Sequence, residues 1–344
     1  MRDQSWGLEC EFTGITRKRA AEAIAEYFGT SAVHDGGCYD TYSVRDGEGR
    51  KWKLMSDGSI DCQRKENGHI AGAGREYSVE LVTPICRYED IGTLQEIVRR
   101  LRSAGAFANN SCGIHVHVGA EKHTAKTLRN LVNIVASKED LLYQALQVDV
   151  ARQNYCKKMD LRFLDDLNRR HPNTLQQVQS IWYNGRDGSS EHYHDSRYHG
   201  LNLHAVFSKG TVEFRLFNSS LAHAGKFRAY IQLCLAISHQ ALTQQSASRI
   251  KTLTNNPKYT FRCWLLRLGL IGDEFKTARQ HLLEPLPGNI AWRDPEQAER
   301  QKERQRLARE AQQTKEMELP EALSQNEFDE PELEEEQGMT LSMQ

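Results

Sequence analysis

Residues 5–13 read SWGLECEFT, and the placing of Glu9 and Glu11 among them decides the fold. Side chains on a β-strand alternate between faces, so residues two apart share one face. Trp6, Leu8 and Phe12 then form an apolar side with Cys10 as core filler, while Glu9 and Glu11 share the other. A solvated acidic edge strand would carry the same Glu-Cys-Glu tripeptide. The apolar alternate side argues instead for a strand of a core sheet.

The pattern recurs. In CGIHVHVG (112–119), His115 and His117 share a face and Ile114, Val116 and Val118 point the other way. In TVEFRLF (211–217), Glu213 and Arg215 lie opposite Val212, Phe214 and Leu216. A lone histidine is commonly a hydrogen-bonded core residue, and Glu213 with Arg215 reads equally as a surface ion pair worth little. Three strands with polar groups at period two make a lined groove the better explanation.

Working outward, Thr16 caps a predicted helix RKRAAEAIAEYF that stops at Gly29. Residues 39–62 read as a meander of short strands with turns at DGEG and SDGS. Residues 75–82, REYSVELV, read as a strand ended by Thr83-Pro84. Residues 89–104 form an amphipathic helix with Ile91, Leu94, Ile97, Val98 and Leu101 on one stripe. Helical patterns fill about 124–183, followed by a polar loop, 184–199. Next, GLNLHAVF (200–207) reads as a strand joined to TVEFRLF by the hairpin turn Ser208-Lys209-Gly210. A long helix follows at about 224–243, and helices continue to about 285.

Hairpin-length connections between strands predict an α+β fold with a mostly antiparallel sheet; a doubly wound parallel sheet needs a crossover after nearly every strand. Residues 1–285 are expected to form the catalytic domain and 286–319 a charged helical extension. The tail 320–344 holds eight acidic residues and no basic one, the composition of a disordered segment.

The 344 residues suffice for one large domain or two ordinary ones. The 45 Lys and Arg nearly balance the 46 Asp and Glu, so no net field recruits nucleic acid or an anionic membrane. No apolar run approaches the roughly 20 residues that cross a bilayer. The N-terminus lacks an apolar signal stretch, and the eight scattered cysteines contain no CxxC, as expected of reduced thiols in a cytoplasmic protein.

Several carboxylates with at most two histidines and flanking arginines favour a hard cation, Mg²⁺ or Mn²⁺, bound together with nucleotide phosphates. Glu80 closes its strand just before Thr83-Pro84 and adds a further carboxylate; Glu76 shares its face. Asp57-Gly58-Ser59 is a tight turn that reads equally as a plain hairpin tip. Arg197 and Asn202 stand where the polar loop enters a strand. The spacing of His192, His194 and His199 matches no tight zinc site. Without a P-loop or GxGxxG, phosphates must be held by metals and arginine.

In this order, GLECEF, SDGSI, VELVTPI, NNSCGIHVHVG and TVEFRLF resemble the amidoligase family of the carboxylate–amine ligase group that includes glutamine synthetase and γ-glutamylcysteine ligase. The resemblance spans about 5–240. It implies a curved antiparallel sheet with helices on the convex side and a concave active site for ATP and two or three divalent cations. By this resemblance Glu9 and Glu11 serve different metals, with Glu80 joining Glu11, and His115 and Glu213 joining Glu9. It places His117 near the nucleotide phosphates and Arg215 at the γ-phosphate; Arg197 and Asn202 contact phosphate or substrate. Asp57 approaches the substrate amine or a metal.

The implied activity is ATP-dependent joining of a small-molecule or peptide carboxylate to an amine through an acyl phosphate, with the 184–199 loop as a lid against water. A phosphotransferase on the same scaffold, a metal hydrolase using the histidine pair, and a non-catalytic interaction protein remain alternatives. The charged helix and acidic tail are the expected contact for a protein partner. The loop at 184–199 and everything after 285 have no counterpart in the family pattern.

Overall fold

A computed structural model describes residues 1–317. The expected acidic tail, 320–344, lies outside the described residues. Eight strands form one sheet in the order β2 (Ala32–Gly36), β3 (Thr41–Arg45), β4 (Lys51–Met55), β7 (Val79–Val82), β1 (Trp6–Phe12), β8 (Gly113–Gly119), β10 (Thr211–Asn218) and β9 (Leu201–Asn202). Every pairing in it is antiparallel. A separate ribbon pairs β5 (Gln63–Glu66) with β6 (His69–Gly72).

The apolar side of the sheet is the one the alternation predicts. Trp6, Leu8, Cys10 and Phe12 of β1, with Ile114, Val116 and Val118 of β8, are all buried. They are covered by helices that read as amphipathic. In α1 (Arg17–Phe28), Thr16 accepts from the Arg19 amide and Gly29 takes the left-handed conformation that ends the helix. Helix α2 (Ile91–Ser103) buries Ile91, Leu94, Ile97, Val98 and Leu101. Helix α7 (Ala224–Thr243) is buried along most of its length and packs against α2, β8, α3 (Ala125–Leu146) and α9 (Lys276–Leu283). Each fully buried Leu, Phe or Ile here contributes roughly 1.5–3 kcal/mol through lost apolar exposure.

Four local readings need correction. GLNLHAVF is not one strand: only Leu201–Asn202 pair, and residues from His204 to Lys209 form α6. The Asn202 side chain accepts from the His204 amide and turns the chain into that helix, so Ser208-Lys209-Gly210 is a helix end, with Gly210 at φ 73°. REYSVELV begins as a 3₁₀ turn at Arg75–Tyr77, and the strand starts only at Val79. The helical stretch 124–183 is broken, with α4 (Leu161–Arg170) and α5 (Leu175–Trp182) following α3. Finally, β10 carries a register shift between Phe214 and Phe217, so Phe217, buried like Phe214, is not on the alternation predicted for it.

Met1–Arg293, which also contains α8 (Pro257–Arg267), forms one compact unit. A second unit starts at Asp294 and contains α10 (Pro295–Met317), a charged helix with spaced pairs such as Arg300–Glu296 at 3.0 Å. All eight cysteines are free. Among the described residues no helix is long and apolar enough to cross a membrane.

One core carboxyl makes stability depend on pH. Glu139 of α3 is 7% exposed and accepts from the Met159 amide at 2.6 Å. Burial pushes it up to about 7, although the Met159 amide and Lys158 oppose this. The folded chain therefore holds this proton more tightly than the unfolded chain, and stability falls as pH rises from about 4.5 through 7. Glu139→Gln keeps an acceptor for Met159 without the charge. It is expected to match the wild type near pH 4.5 and to exceed its unfolding free energy by up to about 3 kcal/mol at pH 8, measured by urea denaturation.

Candidate active site

Cross-strand register carries the polar residues together. Glu11 lies opposite Glu80, Glu9 opposite His115, and Glu213 opposite both His117 and Asn202. Side chains directly opposite on one face stand about 5 Å apart at Cβ, so four pairings between neighbouring strands form a continuous polar floor.

The floor has three groups whose ligand atoms lie within 4.8 Å of one another: Glu9 with Glu80 and His115, Glu9 with His117 and Glu213, and Glu11 with Asp57 and Glu80. His115 and Glu213 each group with Glu9, as the resemblance implies, and His117 shares the Glu9–Glu213 group. His115 still stands 3.8 Å from Glu213 through Nδ1. Asp57, read as a plain turn as readily as a site residue, reaches the floor because Ser78 clamps its backbone: Ser78 Oγ accepts from the Asp57 amide at 2.9 Å and donates to its carbonyl at 2.6 Å.

The electrostatics of the floor are unbalanced along its length. At the Glu11 end, burial, then Asp57, pushes Glu11 up to about 7, against the lowering effect of the Gly113 amide. Glu80 is driven well above the carboxylate range by burial and then by Glu9, Glu11 and Asp57. At the other end burial opposes ionisation too, but it is outweighed. The neighbouring His117, the hydrogen bond from His115 and the Lys209 ammonium hold Glu9 well below its usual range. Arg215 holds Glu213 at about 2. Burial, then the Arg215 charge, lowers His115 to about 4, which keeps its imidazole neutral.

These residues suit divalent cations. Neutral imidazole and carboxylate are ligands for such ions, and a cation between Glu80 and Glu11 relieves the repulsion that protonates them. His117 supplies the sharper observation. Its Nδ1 is 2.9 Å from Thr211 Oγ1, and its buried Nε2 has no hydrogen-bond partner while facing Glu9 Oε1 at 3.3 Å. A ring fixed through one nitrogen, with the other free among carboxylates, is how proteins orient a metal-binding histidine.

Arg215, 5% exposed, donates to Glu213 through Nη1 and to the Tyr155 carbonyl through Nε at 3.3 Å. The register shift in β10 falls beside it, and Arg152 fastens that irregular segment by donating to the Phe217 carbonyl at 2.7 Å. Arg152 passes directly over Gly113, where a Cβ would lie 2.2 Å from its guanidinium. Asn202 donates to Glu213 at 2.7 Å and so acts through that carboxylate. Arg197 stacks on Tyr193 and Tyr198 and donates to the His192 carbonyl at 2.7 Å.

Three cavities meet at the floor. One, about 220 Å³, is lined by Glu11, Asp57, Arg197, Arg215 and tyrosines 155, 193 and 198. A second, about 290 Å³, holds Ser189, His192, Arg197, Asn202, Lys209 and Glu213. The third, about 350 Å³, runs from Glu9 and His117 to apolar Trp6, Val82, Pro84 and Ile85. A larger open groove of about 690 Å³ along α1 and β2 contains none of the site residues. The loop 184–199 contributes Ser189, His192, Tyr193 and Arg197 to the first two cavities. Its histidines join no metal-competent group among the described residues.

Sequence patterns missed Lys209, Arg152 and the three tyrosines. Lys209 was hidden in an assumed turn. Arg152 lies on a 3₁₀ turn, whose three residues are too few to show periodicity.

Residues 2–238 match the family model described as "Putative amidoligase enzyme". A search of curated proteins finds no match.

Proposed function

The chain belongs to the amidoligase family, and on that premise we propose that it is an ATP- and divalent-metal-dependent ligase that joins a carboxylate to an amine. The observation that carries this reading is the set of three overlapping ligand groups that share Glu9 and Glu80, with the unpartnered Nε2 of His117 among them. A glutamine synthetase-like catalytic architecture accords with the all-antiparallel sheet whose apolar side is covered by helices.

Glu9, His117 and Glu213 would hold one Mg²⁺ or Mn²⁺, Glu11, Glu80 and Asp57 another, and Glu9, Glu80 and His115 a third. Bound there, the ions would neutralise phosphate oxygens and the charge that develops on them. The substrate carboxylate attacks the γ-phosphorus of ATP, the bond to the β-phosphate oxygen breaks, and ADP leaves an acyl phosphate. Arg215 donates to the transferred phosphoryl group as charge spreads over its oxygens. A nearby carboxylate accepts the proton of the incoming amine, which attacks the acyl carbon and expels phosphate. Arg197 and Asn202 contact phosphate or substrate, Asn202 also steadying Glu213. Loop 184–199 excludes water, which would otherwise hydrolyse the acyl phosphate.

The test is Mg²⁺-dependent ADP release screened against amino acids, peptides and polyamines, with mass spectrometry of the products. Ligation gives ADP and one amide together, and neither without Mg²⁺. ADP release accompanied by a phosphorylated product and no amide would establish phosphotransfer instead. Product formed without ATP would establish hydrolysis.

A further inference from the structure

Lys209 is the last residue of α6 and stands where two of the three cavities adjoin the floor. It lines both the cavity of Arg197, Asn202 and Glu213 and the one that runs from Glu9 to Pro84. Its Nζ donates to Glu9 Oε1 at 3.1 Å, and that same oxygen faces His117 Nε2 at 3.3 Å. The ammonium thus holds an oxygen that belongs to the Glu9–His117–Glu213 ligand group. Among the described residues it has no other hydrogen-bond partner, and its side chain is 46% exposed. The charged groups that act on it are Glu9 and Glu213, which attract it, and Arg197, which repels it.

A divalent cation and an ammonium cannot both sit close to one carboxylate oxygen without strong mutual repulsion. A cation that takes Glu9 and His117 therefore releases Lys209. The flexible four-carbon stem lets the ammonium turn at little cost into either cavity. Resting on the ATP- and metal-dependent reading above, we propose that Lys209 exchanges partners: it neutralises Glu9 before loading and binds a phosphate oxygen of the nucleotide once metal has taken Glu9. The exchange makes metal and nucleotide loading cooperative, because each removes the obstacle or the unpaired charge left by the other.

The test compares wild type with Lys209→Met and Lys209→Arg by titration calorimetry, first with Mn²⁺ alone and then with ATP in the presence of Mn²⁺. Lys209→Met removes the competitor, so Mn²⁺ alone is expected to bind about threefold to tenfold tighter. It also removes a charge-assisted phosphate contact, so ATP with Mn²⁺ is expected to bind at least about tenfold weaker. Lys209→Arg keeps the charge and stays within about threefold of wild type for both. A structural role would not move the two affinities in opposite directions. If wild type binds Mn²⁺ and ATP but the Lys209→Met affinities stay unchanged or shift together, the exchange is wrong and the ligase assignment stands. If wild type binds neither, both fail.

Discussion

Glu9→Gln is expected to fold as well as the wild type and to lose ATP-dependent ligation by about 10³-fold or more. Glu9 belongs to two of the three ligand groups, through Oε1 toward His117 and Oε2 toward His115 at 3.1 Å. Glutamine preserves shape and one acceptor oxygen but cannot supply the negative charge a hard cation requires. Stability should hold because the loss is offset. Glu9 forfeits its attraction to Lys209 and His117, but Glu80, which Glu9 helps drive upward, is relieved of a like-charged neighbour. Thermal unfolding by circular dichroism and coupled assay of ADP release check the two halves. Undiminished ligation by a folded Glu9→Gln variant would refute the assignment of this residue.

Arg215→Met is expected to damage both stability and activity. The Arg215–Glu213 pair is buried, and Arg215 is the chief attraction that keeps Glu213 ionised against burial. Removing the guanidinium strands that carboxylate in a low-dielectric setting, a change that typically costs about 3–5 kcal/mol. Combining it with Glu213→Gln removes the stranded charge and should recover most of the loss. On the proposed mechanism the double variant remains inactive, because it lacks both a proposed metal ligand and the group proposed to meet the transferred phosphoryl. Urea denaturation separates the single from the double variant. Arg215→Lys, with a point charge instead of a planar fork, should fold and lose roughly 10²-fold in kcat. Equal stability of the single and double variants would show that Glu213 finds another counter-ion.

The residues that announced themselves in the sequence are those on strands with one buried face. In β1 and β8, alternation is enforced by the apolar side, since Trp6, Leu8, Phe12, Ile114 and Val116 must all face the helices; the polar set at Glu9, Glu11, His115 and His117 follows from the pleat. What escaped depended on contacts made across the fold. Leu201, Leu203, Ala205 and Phe207 keep a period of two, yet the Asn202 side chain bonds to Glu213 and to the His204 amide and diverts the chain into α6. That diversion placed Lys209 against Glu9. The shift in β10 left one trace, the adjacent apolar pair Leu216-Phe217, which breaks strict alternation. Asp57 joins the floor only because Ser78, distant in sequence, holds its turn.

The claim on which the rest depends is that this polar floor binds divalent cations for a nucleotide. Its most direct measurement is the number of Mn²⁺ ions bound per chain, counted by equilibrium dialysis with and without an ATP analogue whose β–γ bridge cannot be cleaved. Two or three ions are predicted for the wild type with the analogue, and fewer for Glu9→Gln under the same conditions. A wild type that binds none, or a Glu9→Gln variant that binds the full number, would contradict it.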